Sequence, residues 1–538
     1  MRKKIIKEID MKLKVYVMAL AMMIMAIGAN GQLKVNSNVK ESGVNFFTNF
    51  ECGSLDSVSM KDMLMVLPQM EKGYEKIVFD VFSRFDPLNP ADPTLPPSAR
   101  WYHFLMTGVK GKEIQLDMHN SDTRRPFYSY NGVDYFRFTN DECAIENSIV
   151  KKYEQDSVYI AYSTPYPESY LTKRFEDWGS RECTEVISIG KSEMGRNMPL
   201  LIVTDRNADN KNKKTVYIHG RTHTSETPGS WHLDKMIDII TGDSQYAQDL
   251  RKHIVFYILP FTNPDGVVEG LSRSNINGIN LEVNWNYNDS LTAQEVKNMK
   301  AFLGKLVKEK KVDIVLNMHS QSLNQTTYWV HKADKTSDKY YKELMLFSNL
   351  TIDRNPYFRK DDLKFSNVSP KYVEGWFWDN CKEKSLAVTF ETPYTFYNNK
   401  RDGEWVSIEN LRQMAMNNVY AIGDYLQVPT AERIIVNEGS KGKGCKKSSD
   451  MGYIYHGKQH LVAQKEGATA KYSLKSLAKG EYTVYAWSTG KNLTASREGE
   501  NEWIEIGTHS QKEEGKFRYS RKASAAGERF DAIMLIKK

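Results

Sequence analysis

Cysteine is scarce in this chain: Cys52, Cys143, Cys183, Cys381 and Cys445 are the five in 538 residues. They are odd in number, widely scattered and never spaced Cys-x-x-Cys. That argues against both a disulfide framework and a cysteine-built zinc site. A strong charge of one sign is also missing. The formal net charge is +7, yet residues 1–31 hold six Lys/Arg against two Asp/Glu, so +4 of it sits there. Lys441, Lys443, Lys446 and Lys447 form one small basic loop, read as a solvated linker. No nucleic-acid partner is expected. Long apolar runs are confined to the first residues. Lys12 and Lys14 precede VYVMALAMMIMAIG, and the small residues Ala29 and Gly31 follow. This pattern predicts a secretory signal peptide over residues 1–31, cleaved before Gln32, with Met11 as an alternative start. The run is short for a bilayer span, and no later segment would serve as one. The expected mature chain is exported, periplasmic or extracellular, with no transmembrane segment.

A chain of this length exceeds one hydrophobic core, so several domains are expected. Residues 32–163 alternate apolar and polar positions in short runs such as KIVFDVFSRF, EIQLDMHN and DSVYIAYS. Turn-rich stretches such as PLNPADPTLPPS divide them, which predicts an N-terminal β-sandwich. Over residues 164–428 the runs LLIVTD, TVYIHG, IVFYILPF, VDIVLNMH and SLAVTFE alternate with helical periodicity. That alternation predicts an α/β domain, with a mixed, mostly parallel sheet and helices on both faces. Residues 429–447 read as a Gly/Lys/Ser linker after a short strand. The β-rich remainder completes a C-terminal sandwich-like module over residues 429–538.

What is abundant is chemistry at strand ends. TVYIHGRTHTSETPGSW places His223 and Glu226, spaced His-x-x-Glu, just past an apolar run. VDIVLNMHS ends in His319, and SLAVTFETP carries Glu391 near its end. Two imidazoles and one carboxylate make the three-ligand zinc site that leaves a position open for water. One further carboxylate supplies a general base. Ligands of open α/β sheets gather beyond the carboxyl ends of the strands, where these four residues fall. The donor set favours one Zn²⁺ per chain.

RTHTSETPGSW resembles the metal-binding turn of the M14 zinc carboxypeptidases. ILPFTNPDGVVEGLSRSNINGINLEVNW is similar to the block that follows it in that family. The arrangement most resembles the cytosolic carboxypeptidase branch, which trims glutamates from proteins and has a β-sandwich before its catalytic domain. FECGSLDSV, RWYHFLMTG and DSVYIAYSTPYPESYLTKRFEDW look similar to that amino-terminal module and its junction, so the resemblance covers about residues 47–425. It implies zinc ligands at His223, Glu226 and His319, a general base and proton shuttle at Glu391, and an arginine polarising the scissile carbonyl at Arg273. It implies substrate contacts around Trp285 and Tyr372, the latter near the place of the family's capping tyrosine.

The sequence departs from the family where an Asn-Arg pair grips the substrate's terminal carboxylate. Glu282 and Val283 stand there, and the metal turn reads His-Thr-Ser-Glu rather than His-Pro-Gly-Glu. A carboxylate at Glu282 repels an anionic terminus. The expected substrate is therefore a peptide or peptide-like amide lacking a free carboxylate at that point, or one held by a relocated cation such as Lys400 or Arg401. Two other classes remain open. One is an exported deacylase, esterase or wall-peptide amidase whose C-terminal module contacts glycan or cell wall. The other is a non-catalytic binding protein on a degenerate peptidase fold.

Overall fold

A computed structural model describes residues 33–35, 37–61, 76–91, 94–122, 124–209, 212–398, 403–437, 442–448, 455, 460–487 and 502–538. The signal peptide expected at 1–31, together with Lys400, Arg401 and Lys441, lies outside the described residues.

The N-terminal region is two five-stranded sheets. The strand Glu113–His119 shows why: its residues alternate between half-buried and buried along EIQLDMH, so one face enters the core. Phe46, Phe79 and Phe104 meet between the sheets, with ring centroids 5.1 and 5.8 Å from Phe46.

The central domain is an eight-stranded mixed sheet. Its middle strands Lys214–Gly220, Ile254–Leu259, Ile314–Gln321 and Leu386–Pro393 run parallel. Almost every residue along them is buried. Their sequences are correspondingly near-continuous apolar runs, as expected where helices cover both faces. Antiparallel strands flank this centre: Asn197–Val203 beside Ile254–Leu259, and Thr327–His331 beside Leu386–Pro393. The helix Thr227–Thr241 starts with Pro228 in its first turn, where the missing N–H costs nothing. The helix Ile408–Tyr425 is closed at its start by Ser407 and Asn410, each side chain accepting the other's backbone N–H at 3.2 and 2.8 Å.

Beyond residue 430 the described chain forms sheets of four, three and two strands. The expected linker is partly structured. The short strand expected before it is Arg433–Val436, paired with Ile533–Lys537, while within the linker Cys445–Ser448 pairs with His460–Ala463. Ladder hydrogen bonds satisfy the backbone of these Lys-rich residues, so composition alone misjudged them. The module docks on the helical face of the central domain. Tyr455 donates its hydroxyl to the Asp424 carbonyl, and Trp503 N donates to Asp353 at 3.0 Å.

The N-terminal sandwich is seated on the central domain by backbone contacts. Cys52 N donates to the Val268 carbonyl at 3.0 Å. Gly270 has φ +64°, and a Cβ there would stand 2.7 Å from the Gly53 carbonyl oxygen, so the two chains approach as only glycine permits. Among the described residues no helix is long and apolar enough to cross a membrane.

Candidate active site

Three parallel strands deliver the expected residues to one place. Register pairs Gly220 with Met318 and His319 with Glu391, so the carboxyl ends of all three strands lie side by side. After Gly220 the chain reverses through Arg221, at φ +57°. The Arg221 guanidinium holds the turn by donating to the Thr224 carbonyl at 2.7 Å and the Tyr166 carbonyl at 3.0 Å. That turn carries His223 and ends at Glu226, which stands at the first position before the helix Thr227–Thr241 without bonding its backbone through the side chain. The positive end of a helix favours a carboxylate there.

Glu226 bridges both imidazoles. Its Oε1 lies 2.8 Å from His223 Nδ1 and its Oε2 lies 2.7 Å from His319 Nδ1. Ser320 N also donates to Oε2, at 3.0 Å. Although burial raises a carboxyl, the two histidines hold Glu226 well below the usual carboxylate range. The opposite ring edges meet different groups. His223 Nε2 is 3.1 Å from Asn280 Oδ1. Glu282 Oε2 is 3.4 Å from His223 Nε2 and 3.1 Å from His319 Nε2. The imidazole pair therefore sits between two carboxylates, one on each edge.

This donor set fits a zinc ion. Two buried imidazoles share each carboxylate, and nitrogen plus anionic oxygen is what zinc takes. Nitrogen and oxygen atoms of His223, Glu282 and His319 converge within 4.8 Å of one another. Glu226, the carboxylate expected from sequence, touches both rings more closely than Glu282 does, through Nδ1. Burial lowers His319, but Glu282 and then Glu226 outweigh it and hold the ring up at about 10. Burial and then the Arg273 charge push His223 the other way.

Glu391 sits half-buried beside this centre, on the wall of the cleft. Burial first, then repulsion from Glu226, pushes its carboxyl up to about 7. Trp329 Nε1 donates to Glu391 Oε1 at 3.1 Å and fixes the carboxylate's direction. These groups open into a cavity of about 340 Å³, whose walls include Arg100, Arg273, Glu282, Val283, Tyr372 and Glu374. Two larger depressions, of about 600 Å³ beside Trp405 and 650 Å³ beside Arg354, contain no histidine.

One expected substrate contact falls elsewhere than sequence reading placed it. Trp285 is 4% exposed and packs on Trp376 at 6.0 Å between centroids, in a core behind the cleft. Its apolar ring is worth more there than on a wet wall. Glu282 does line the cleft, but its carboxylate turns to the histidine edges. Tyr372 lines the cleft where expected, next to the helix Val373–Cys381.

Several wall residues escaped sequence reading. Glu374 is 3% exposed, accepts from Asn317 Nδ2 at 3.1 Å and binds the Thr389 hydroxyl. Burial, then Glu282, raises it. Arg100 reaches the cleft from the sandwich, its Nε donating to Asp122 at 3.0 Å. The only sequence signal for Arg100 is its place at the end of a proline-rich turn.

Comparisons with known proteins agree with this geometry. The family model described as zinc carboxypeptidase, Peptidase_M14, matches residues 180–376. Mouse cytosolic carboxypeptidase 6 is 25% identical over 332 residues, covering 55% of this chain and 59% of the mouse protein. Human cytosolic carboxypeptidase 6 is 30% identical over 233 residues, covering 41% of this chain and 45% of the human one. The chain thus spans less than two thirds of the length of these curated relatives. A metallo-carboxypeptidase structure from Burkholderia cenocepacia covers 71% of this chain and 99% of its own, with TM-score 0.58 and 20% identity. One from Pseudomonas aeruginosa covers the same shares, with TM-score 0.58 and 18% identity. These two share the fold. Residues 180–376 thus match the M14 zinc carboxypeptidase family, and His223, Glu226 and His319 of the strand-end cluster fall within that segment.

Proposed function

We propose that the chain is an exported zinc hydrolase that cleaves an amide bond in a peptide-like substrate. The observation that carries this reading is the Glu226 bridge between His223 and His319, with Glu391 alongside on the neighbouring strand. His223, Glu226 and His319 would hold the zinc. When bound, zinc supplies Lewis acidity toward water and the scissile carbonyl. Glu391 takes the proton of the attacking water and hands it to the leaving amine. A base held near neutrality by burial suits that exchange. Arg273 faces the same cleft, where a fixed cation stabilises charge developing on the carbonyl oxygen. Glu282 and Val283 offer no cation to a terminal carboxylate. Among the described cleft walls, Arg100 and Arg273 supply the guanidinium groups.

Metal analysis of the purified chain, with a peptide-library digest read by mass spectrometry, tests the reading. One zinc per chain and single residues lost from carboxyl termini would make it a carboxypeptidase. Zinc without terminal trimming points to internal amides, wall peptides or acylated glycans, which the Glu282–Val283 pair favours. No metal after zinc is supplied would overturn catalysis and leave a binding protein. Export rests on residues 12–31. A secreted fraction starting at Gln32 is the expected result of amino-terminal sequencing.

The two carboxylates are expected to differ in how far their loss weakens metal binding. Glu226→Gln is expected to abolish stoichiometric zinc. Glu282→Gln is expected to keep it and weaken affinity on the order of 10- to 100-fold, as loss of an outer partner of a ligating histidine does. Competition against a chelator measures both, and the reverse pattern would make Glu282 the direct ligand.

A further inference from the structure

Arg273 stands on a loop whose backbone is held from another domain. Asp86, in the N-terminal sandwich, accepts three consecutive backbone N–H groups: Ser272 on Oδ1 at 2.7 Å, and Arg273 and Ser274 on Oδ2 at 2.7 and 2.8 Å. Asp86 is 5% exposed, so these bonds are sheltered from water. The grip is reinforced nearby. Ser272 Oγ accepts the backbone N–H of Arg100 and of Trp101, both at 2.9 Å. The Arg84 guanidinium donates to the Glu269 carbonyl and, at 3.4 Å, to that of Gly270. The far side of the loop is fastened to the metal turn, since Ser225 N donates to the Ser272 carbonyl at 3.0 Å. Asn263 Nδ2 donates to the Ser274 carbonyl at 2.9 Å.

Three adjacent N–H groups converging on one carboxylate fix the path of the chain through those residues. A neutral acceptor binds such donors less strongly than a charged one. We infer that Asp86 is a positioning residue for the active site, setting the backbone at 272–274 and thereby the reach of Arg273 into the cleft. The sandwich is then part of the catalytic apparatus, supplying the mould for a residue it does not contain. This inference rests on the role proposed above for Arg273.

A double-mutant cycle tests it in the full-length zinc-loaded chain, on the library peptide that wild type cleaves fastest. Asp86→Ala is expected to lower kcat/KM on the order of 100-fold, the scale of a misplacement near 1 Å. The loss should fall mainly on kcat, because Arg273 acts in the transition state. Zinc content should be unchanged. In an Arg273→Ala background the same substitution should change kcat/KM by less than about threefold, because the two residues act as one unit. Equal losses in both backgrounds would overturn the inference and make Asp86 a matter of fold stability. Asp86→Asn, nearly the same size, replaces Asp86→Ala if the latter does not fold. Amide hydrogen exchange gives a readout independent of turnover. Protection at residues 272–274 should fall in either variant while the Lys214–Gly220 strand keeps its own. Unchanged protection at 272–274 would sink the proposal. If wild type turns over no peptide, the zinc-hydrolase reading fails, and exchange still decides whether Asp86 holds the loop.

Discussion

Replacing Glu391 by glutamine will lower kcat on the order of 10⁴-fold and leave zinc content unchanged. Glutamine keeps the volume and still accepts from Trp329, so the variant should fold and bind metal. What it loses is the capacity to take and return a proton. The expectation comes from placement: Glu391 lies in register with His319 and contacts neither imidazole directly. Single-turnover kinetics with metal analysis on the same sample checks it. A variant that turns over within tenfold of wild type would remove Glu391 from proton transfer. One that loses zinc would make it a ligand.

The second large effect is on stability in acid. Burial lowers His103, His219 and His232 to about 3 and His331 to about 4. These rings are neutral when folded and titrate near the ordinary histidine value when unfolded. Their contribution is complete above pH ~6.5 and is lost as pH falls from there toward 3–4. Each costs about 1.4 kcal/mol per pH unit inside that window. Four together approach the whole stability of an ordinary domain within two units. Buried carboxyls held above their usual range, Glu295 and Asp353 among them, act in the opposite sense and soften the slope. The clean measurement is therefore a difference. His232 packs on Phe390 at 5.2 Å between centroids, so His232→Phe substitutes one ring for another. Its unfolding free energy from urea titrations between pH 6.5 and 4.5 should decline more slowly than that of wild type, by about 1.4 kcal/mol per pH unit. Parallel curves for the two proteins would show that His232 is charged in the folded state.

The central domain was legible because two simple signals coincided. Apolar runs such as IVFYIL and SLAVTF announce strands buried on both faces, and His223, His319 and Glu391 fall at their ends. Short-range spacing placed Glu226 beside His223. What was hidden depends on long-range geometry. Trp285 follows Glu282 and Val283 closely in sequence, yet the short helix Leu281–Val283 turns it into the core while they stay on the wall. Asp86 and Arg100 lie more than 170 residues from the loop they meet, as seen in their bonds to Ser272–Ser274. No local pattern marks such a pair, because nothing in Asp86's own neighbours requires that carboxylate.

The strand Leu386–Pro393 enters the sheet between Ile314–Gln321 and Thr327–His331, both made before it. During synthesis the earlier domain folds first, so the mould at Asp86 is waiting when residues 272–274 emerge. His223, Glu226 and His319 also come after Asp86 in the chain, and Glu391, the proposed base, is made after all of them. Until that strand takes its place, the carboxylate proposed as the base is missing from the site.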